Sequence, residues 1–186
     1  VSIISGTISG LFALLNVRDT LGQIKPEYAQ NVENLYNHCR DNDLRIAEVI
    51  TDAKGDRSRH PLQQDDPDLY LHVVERRDDG IVVRGAKLHI TGASLVHELI
   101  VLPTKSMSEG EEDYSVAFSV PVNTPGVKII NRDYAEPGRS TFDYPISGTR
   151  SMPEGFIVFD DVFVPWDRVF LCGEYQYVGT IAHALG

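Results

Sequence analysis

Cysteine is scarce in this 186-residue chain, with Cys39 and Cys172 as its only two. A single pair builds neither a disulfide framework nor a four-ligand metal site, so a reducing, cytoplasmic setting without a metal centre is the expectation. Positive charge is short as well. Lys and Arg number 17 against 27 Asp and Glu, for a formal net charge of −10. A phosphate backbone needs a basic face, which excludes nucleic acid as a partner. No apolar run is long enough to span a membrane. The longest, residues 1–17, is broken by Ser2, Ser5, Gly6, Thr7, Ser9, Gly10 and Asn16 and meets Arg18 and Asp19. It also lacks the basic start of a signal peptide. Neither Gly-x-Gly-x-x-Gly nor a P-loop occurs, so there is no nucleotide fingerprint.

What is present divides near residue 44. Residues 1–43 read as helical. The apolar residues of 1–17 surround the helix axis with small ones between them, as in a helix buried against other helices. Such a helix, and a first residue that is Val, lead us to expect a fragment of a longer chain or an oligomer. Pro26 suits a first helical turn, and Val32, Leu35, Tyr36 and Cys39 follow on one stripe until residues 41–43 stop the helix. Cys39 is then a small core residue.

From Leu44 to about 171 the pattern turns to short extended runs. Strands are expected at 45–51, 69–77, 81–90, 98–103, 114–120, 127–131, 155–159 and 162–169, and Asp79-Gly80 marks a tight hairpin. Spacing of this kind predicts a β-barrel or sandwich. Pro165-Trp166-Asp167 reads as a strand edge turning towards a helix, and residues 172–186 turn helical again. The fold class is α+β, with helices, a β module and the start of further helices.

Two stretches concentrate chemistry. Thr51-Asp52-Ala53-Lys54-Gly55-Asp56-Arg57-Ser58 follows an apolar strand and packs acids, bases, hydroxyls and a Gly together. Such groups suit a cofactor with a pyrophosphate and a polar ring edge, or equally a solvated turn. His89-Ile90-Thr91 ends a strand, with His89 and Thr91 on one face, able to hydrogen-bond a ligand or to cap the strand. His97-Glu98 lacks a third ligand for a metal. Residues 139–150, centred on Phe142-Asp143-Tyr144-Pro145, form a lid, a binding loop or a plain connection.

Taken together, residues 51–58, Asp66-Pro-Asp-Leu-Tyr-Leu71, residues 79–87 (Asp-Gly-Ile-Val-Val-Arg-Gly-Ala-Lys) and residues 158–169 (Val-Phe-Asp-Asp-Val-Phe-Val-Pro-Trp-Asp-Arg-Val) resemble one family. It joins 4-hydroxyphenylacetate 3-monooxygenase with 4-hydroxybutyryl-CoA dehydratase. The resemblance implies an acyl-CoA dehydrogenase-like plan: N-terminal helices, a middle β-barrel domain and a C-terminal helical bundle. This chain would hold the end of the helical domain (1–43), the whole β domain (44–171) and the start of the bundle (172–186), which is otherwise absent.

The resemblance further implies that Ile50, Thr51, Asp52, Lys54, Gly55, Asp56 and Arg57, with His89, Ile90 and Thr91, line FAD. In the hydroxylase branch, reduced FAD (FADH2) comes from a separate NAD(P)H-flavin reductase. It reacts with O2, and the resulting C4a-hydroperoxyflavin hydroxylates a small aromatic substrate. Members of this kind are homotetramers. A His that binds the phenol corresponds to Glu48 here, a carboxylate able to act as base in a catalytic role. The dehydratase branch, which includes vinylacetyl-CoA isomerase activity, adds a [4Fe–4S] cluster. Ile4 matches one of its cysteine ligands, and an aliphatic side chain cannot ligate iron. Residues 140–147 look closer to the hydroxylases. A third reading makes the chain a fragment without independent activity.

Overall fold

Small and apolar residues without an early proline make α1 (Ser2–Ile24), and Pro26, whose fixed φ costs nothing at a first helical position, opens α2 (Pro26–Asp41). The computed structural model describes residues 2–132, 140–146, 153–182 and 184. On α1, Leu11, Leu14 and Leu21 are buried, while Phe12 is about half exposed. On α2, the buried stripe is Tyr28, Asn31, Val32, Leu35 and Cys39. Asp43, with φ +51°, turns the chain out of the helix. No helix among the described residues is long and apolar enough to cross a membrane.

Among the described residues eight strands follow: β1 (Ile46–Val49), β2 (His72–Arg76), β3 (Gly80–Thr91), β4 (Glu98–Val101), β5 (Val116–Pro121), β6 (Val127–Arg132), β7 (Glu154–Pro165) and β8 (Val169–Cys172). They form two four-stranded sheets, ordered β1-β4-β5-β8 and β2-β3-β7-β6. The pairing of β1 with β4 is parallel, and every other pairing is antiparallel. The expected hairpin is β2–β3, closed by the Arg77 N–H donating to the Gly80 carbonyl at 2.8 Å.

The two sheets and the helices share one apolar core. Phe118 of β5 and Phe159 of β7 meet edge to face across it, with ring centroids 6.0 Å apart. Asn31 fastens α2 to this core, its Nδ2 donating to the carbonyls of Trp166 (2.7 Å) and Val169 (2.8 Å).

Two expectations need correction. The runs 155–159 and 162–169 are not two separate strands. Asp160-Asp161, which the expected strands leave out, is a bulge inside the single strand β7, where Asp161 takes φ +52°. Both carboxylates face solvent against basic partners, Asp160 with Lys128 and Asp161 with Arg84. Nor does Pro165-Trp166-Asp167 turn towards a helix. It leads through a 3₁₀ turn (Trp166–Arg168) into β8 instead. The final helical stretch is short, α3 (Val178–Ala182).

Candidate functional site

Strand β1 stops at Val49, and residues 50–57 leave it as a loop lying against the far end of β3. The Leu88 N–H donates to the Thr51 carbonyl at 2.7 Å, and Asp52 pairs with Lys87 in an isolated antiparallel bridge. The two stretches singled out in the sequence, distant along the chain, are therefore neighbours.

A buried ion pair lies under this junction. Lys87 Nζ is 2.9 Å from Asp52 Oδ1, and both side chains are almost wholly withdrawn from solvent. The ammonium also donates to the carbonyls of Ile50 (2.7 Å) and Leu102 (3.0 Å). Asp52 Oδ1 accepts in addition the Leu71 N–H at 3.1 Å. Burial pushes the Lys87 pKa down, and the Asp52 charge opposes that fall.

Beyond Asp52 the loop turns through left-handed backbone at Lys54 (φ +72°) and Gly55 (φ +51°). A Cβ on Gly55 would stand 2.4 Å from Gln64 Oε1 and 2.6 Å from Leu69 Cδ1, so a side chain there would have to displace both in addition to adopting left-handed backbone, and glycine is favoured. Gln64 closes the loop by accepting the Asp56 N–H and donating to the Asp56 carbonyl. The Asp56 carboxylate is turned to the loop itself, accepting from the N–H and hydroxyl of Ser58. Arg57 is exposed.

On β3 a bulge between Lys87 and Ile90 interrupts the alternation, and His89 takes φ +58°. The result is that Lys87 and Ile90 both point into the core while His89 and Thr91 are exposed. His89 opens onto a groove of about 530 Å³, lined by Leu88, His89, Asn131, Arg132, Glu154 and Phe156 among others. At its edge the Thr91 hydroxyl donates to Glu154 Oε1 at 2.6 Å. Of the sequence candidates, Asp52 and Ile90 have their side chains committed to the interior, and both lie in backbone pairings, Asp52 with Lys87 and Ile90 with Gly155. Asn131, Arg132, Glu154 and Lys87 are not among the site candidates read from the sequence. All but Lys87 come from strands whose adjacency only the sheet reveals.

Glu48 lies on β1, half-buried, with Oε1 enclosed and without a hydrogen-bond partner. Burial pushes its pKa up, and the Gly10 N–H partly counters this. Two of the other described histidines do structural work. His97 Nδ1 accepts the Arg45 N–H at 2.9 Å, and His38 sits 3.6 Å from the buried Glu98. Among the described residues no cluster of His, Cys, Asp or Glu could hold a metal ion. Burial raises the pKa of both thiols, that of Cys39 to about 11, so neither is a ready nucleophile. Of the 139–150 loop, residues 139 and 147–150 lie outside the described residues, while Phe142 and Ile146 are largely exposed.

Comparison with known proteins gives this geometry a family. The model of the N-terminal part of 4-hydroxyphenylacetate 3-hydroxylase matches residues 6–171. The oxygenase component of 4-hydroxyphenylacetate 3-monooxygenase from Geobacillus sp. (strain PA-9) is 38% identical over 158 residues, covering 84% of this chain and 32% of that protein. The 4-hydroxybutyryl-CoA dehydratase/vinylacetyl-CoA-Δ-isomerase of Clostridium aminobutyricum is 41% identical over 169 residues, covering 83% and 32%. Among solved structures, an oxygen-tolerant archaeal 4-hydroxybutyryl-CoA dehydratase from N. maritimus superposes with a TM-score of 0.84 at 29% identity, covering 95% of this chain and 37% of that one. The oxygenase component of 4-hydroxyphenylacetate 3-monooxygenase in complex with FAD gives 0.80 at 35%, covering 95% and 35%. The chain thus spans about a third of the curated relatives it matches. Its helices and paired sheets follow the acyl-CoA dehydrogenase-like plan, and by the match over residues 6–171 the chain belongs to the 4-hydroxyphenylacetate 3-hydroxylase family.

Proposed function

We propose that this chain is the flavin-holding part of a reduced-FAD-using aromatic hydroxylase, the oxygenase of a two-component system. The observation that carries the reading is the meeting of residues 50–54 with residues 87–91 beside an open groove. The groove's chemistry fits the cofactor. Leu88 and Phe156 offer apolar surface to a ring, and His89 and Asn131 offer polar groups to its edge. Arg132 in the groove and Arg57 on the adjoining loop supply guanidinium donors for a diphosphate. Thr51 is tied to the groove's wall by the bond from the Leu88 N–H to its carbonyl, and Lys54 and Gly55 follow on the same loop.

Bound reduced flavin supplies the electrons that activate O2. The chain's own residues would hold and orient it, with Leu88 and Phe156 as the apolar surface beside the reacting face. Glu48, just before the loop, is an enclosed carboxylate with one oxygen that has no hydrogen-bond partner. With its pKa raised, it can accept a phenolic proton as a general base. The whole enzyme would take a small phenol and O2 as substrates, draw FADH2 from a separate reductase and work as a tetramer in the cytoplasm.

A dehydratase of the 4-hydroxybutyryl-CoA type is the second reading, favoured by the TM-score of 0.84. By the sequence resemblance Ile4 falls where that branch has a cluster ligand, which weighs against it. One experiment separates them. The full-length protein, purified without oxygen, is given FADH2, a panel of phenols and ¹⁸O2. Labelled catechol supports the hydroxylase. Iron with acid-labile sulfide and no labelled product supports the dehydratase.

A further inference from the structure

An ammonium group has three N–H donors and no acceptor. In Lys87 each of the three has a partner: the Ile50 carbonyl, the Leu102 carbonyl and the Asp52 carboxylate. These acceptors come from the chain leaving β1, the chain leaving β4 and the loop itself, while Lys87 belongs to β3 in the opposite sheet. Asp52 extends the connection to a fourth segment through the Leu71 N–H. With its donors fully used and its side chain enclosed, Lys87 has nothing left to offer a ligand directly.

We infer that Lys87 is a positioning residue for the proposed cofactor site, fixing residues 50–54 against residues 87–91 so that both present their outer faces to the same ligand. The inference rests on the reading of this junction as the flavin site. Two features support positioning over simple core filling. The atoms held are those at the root of the loop, Ile50 O and Asp52 Oδ1, so any slack there would be magnified at Lys54 and Gly55. A bulge also follows Lys87 immediately, turning His89 outward while Lys87 stays inside, so the tether and the ligand-facing histidine are set by one irregularity of β3. A buried ion pair is seldom needed for stability, because well-packed apolar residues replace such pairs without loss.

The test uses the full-length protein and the variants Lys87→Met, Asp52→Asn and the double variant carrying both. Amide exchange of residues 51–55 is followed without flavin, with residues 116–120 of β5 as reference, alongside melting temperature, FAD affinity by fluorescence and the visible circular dichroism of bound FAD. We expect Lys87→Met to speed exchange at 51–55 at least tenfold, with the β5 amides unchanged, and to weaken FAD binding at least tenfold. The double variant buries no unpaired charge, and the amide oxygen it introduces at position 52 still accepts from Leu71. It should recover most of the melting temperature yet keep the weak binding and the altered flavin spectrum. Recovery of melting temperature, affinity and spectrum together would overturn the inference and make the pair core filling. Unchanged exchange at 51–55 in Lys87→Met would overturn it as well. Should the double variant fail to fold, Asp52→Asn, nearly isosteric, carries the same readouts. Failure of the parent protein to bind FAD would count against the proposed function, while the exchange measurement would still decide whether Lys87 fixes the loop.

Discussion

The Glu48 carboxylate occupies the space that Gly10 leaves open on α1: a Cβ on that glycine would lie 2.5 Å from Glu48 Oε1 and 2.6 Å from its Cγ. One residue without a side chain on the helix thus makes room for an acid on the first strand, and the acid is enclosed at a cost in solvation.

Glu48→Gln should therefore stabilise the protein at neutral pH, by about 1 kcal/mol, since it removes a charge that has an unbonded oxygen. The pH dependence has a definite sign. Glu48 holds its proton more tightly folded than unfolded, so its contribution to stability is fully present below the unfolded Glu pKa of about 4.3 and is lost as pH rises through the raised folded value. Thermal melts of the two proteins should coincide near pH 4 and diverge above it, with the variant higher. Hydroxylation should fall in the same variant, since an amide cannot accept the phenolic proton. A variant less stable than the parent at pH 8 would contradict this account.

Gly55→Ala should damage the loop rather than the core. Positive φ and the collision with Gln64 and Leu69 together call for about 1–3 kcal/mol of strain, relieved most easily by displacing residues 54–57. FAD affinity should drop by more than tenfold while the melting temperature falls by only a few degrees. Titration by flavin fluorescence beside a thermal melt checks this.

Asn31→Leu should cost about 1–3 kcal/mol, because it strips the hydrogen bonds from two carbonyls that remain covered. Urea denaturation reads the loss directly. Asn31→Asp should be worse, since its carboxylate would face both carbonyl oxygens.

Arg84→Ala should matter little, under about 1 kcal/mol, because its pair with Asp161 is solvent-exposed. Deleting Asp161 is a different kind of change. It removes the extra residue of the bulge, so that Phe159 and Val162 come to lie two residues apart like their partners Gly85 and Val83; the inward facing of Ile157 and Phe159 is kept, and a cooperative unfolding transition should still be observed.

Much of this architecture is written locally. Pro26 and the stripe from Val32 to Cys39 specify α2, and Asp79-Gly80 specifies the β2–β3 hairpin, because each depends on neighbours in sequence. The bulge at Asp160-Asp161 is not local. Two acids in a row suit a turn, and it is the pairing of β7 with β3 on one side and β6 on the other that keeps them within a strand. The site divides in the same way. Residues 51–57 and 89–91 stand out by composition and by resemblance, but that Leu88 bonds to Thr51 depends on two sheets coming together. Lys87 is the hardest to foresee. A lysine in a strand that also carries Arg84 reads as solvent-facing, and its burial depends on an acid from another segment and a bulge one residue further on.

The parallel pairing of β1 with β4 has a consequence for how the chain folds. The whole β2–β3 hairpin, which belongs to the other sheet, lies between the two strands in sequence. Joining β1 to β4 closes a long loop, whereas the hairpin closes a short one, and the entropy of closure falls once the intervening chain is compact. The hairpin should form early and act as a spacer that brings the ends of the first sheet within reach. The contacts gathered at Lys87, which link that hairpin to the exits of both β1 and β4, would then be among the last to lock.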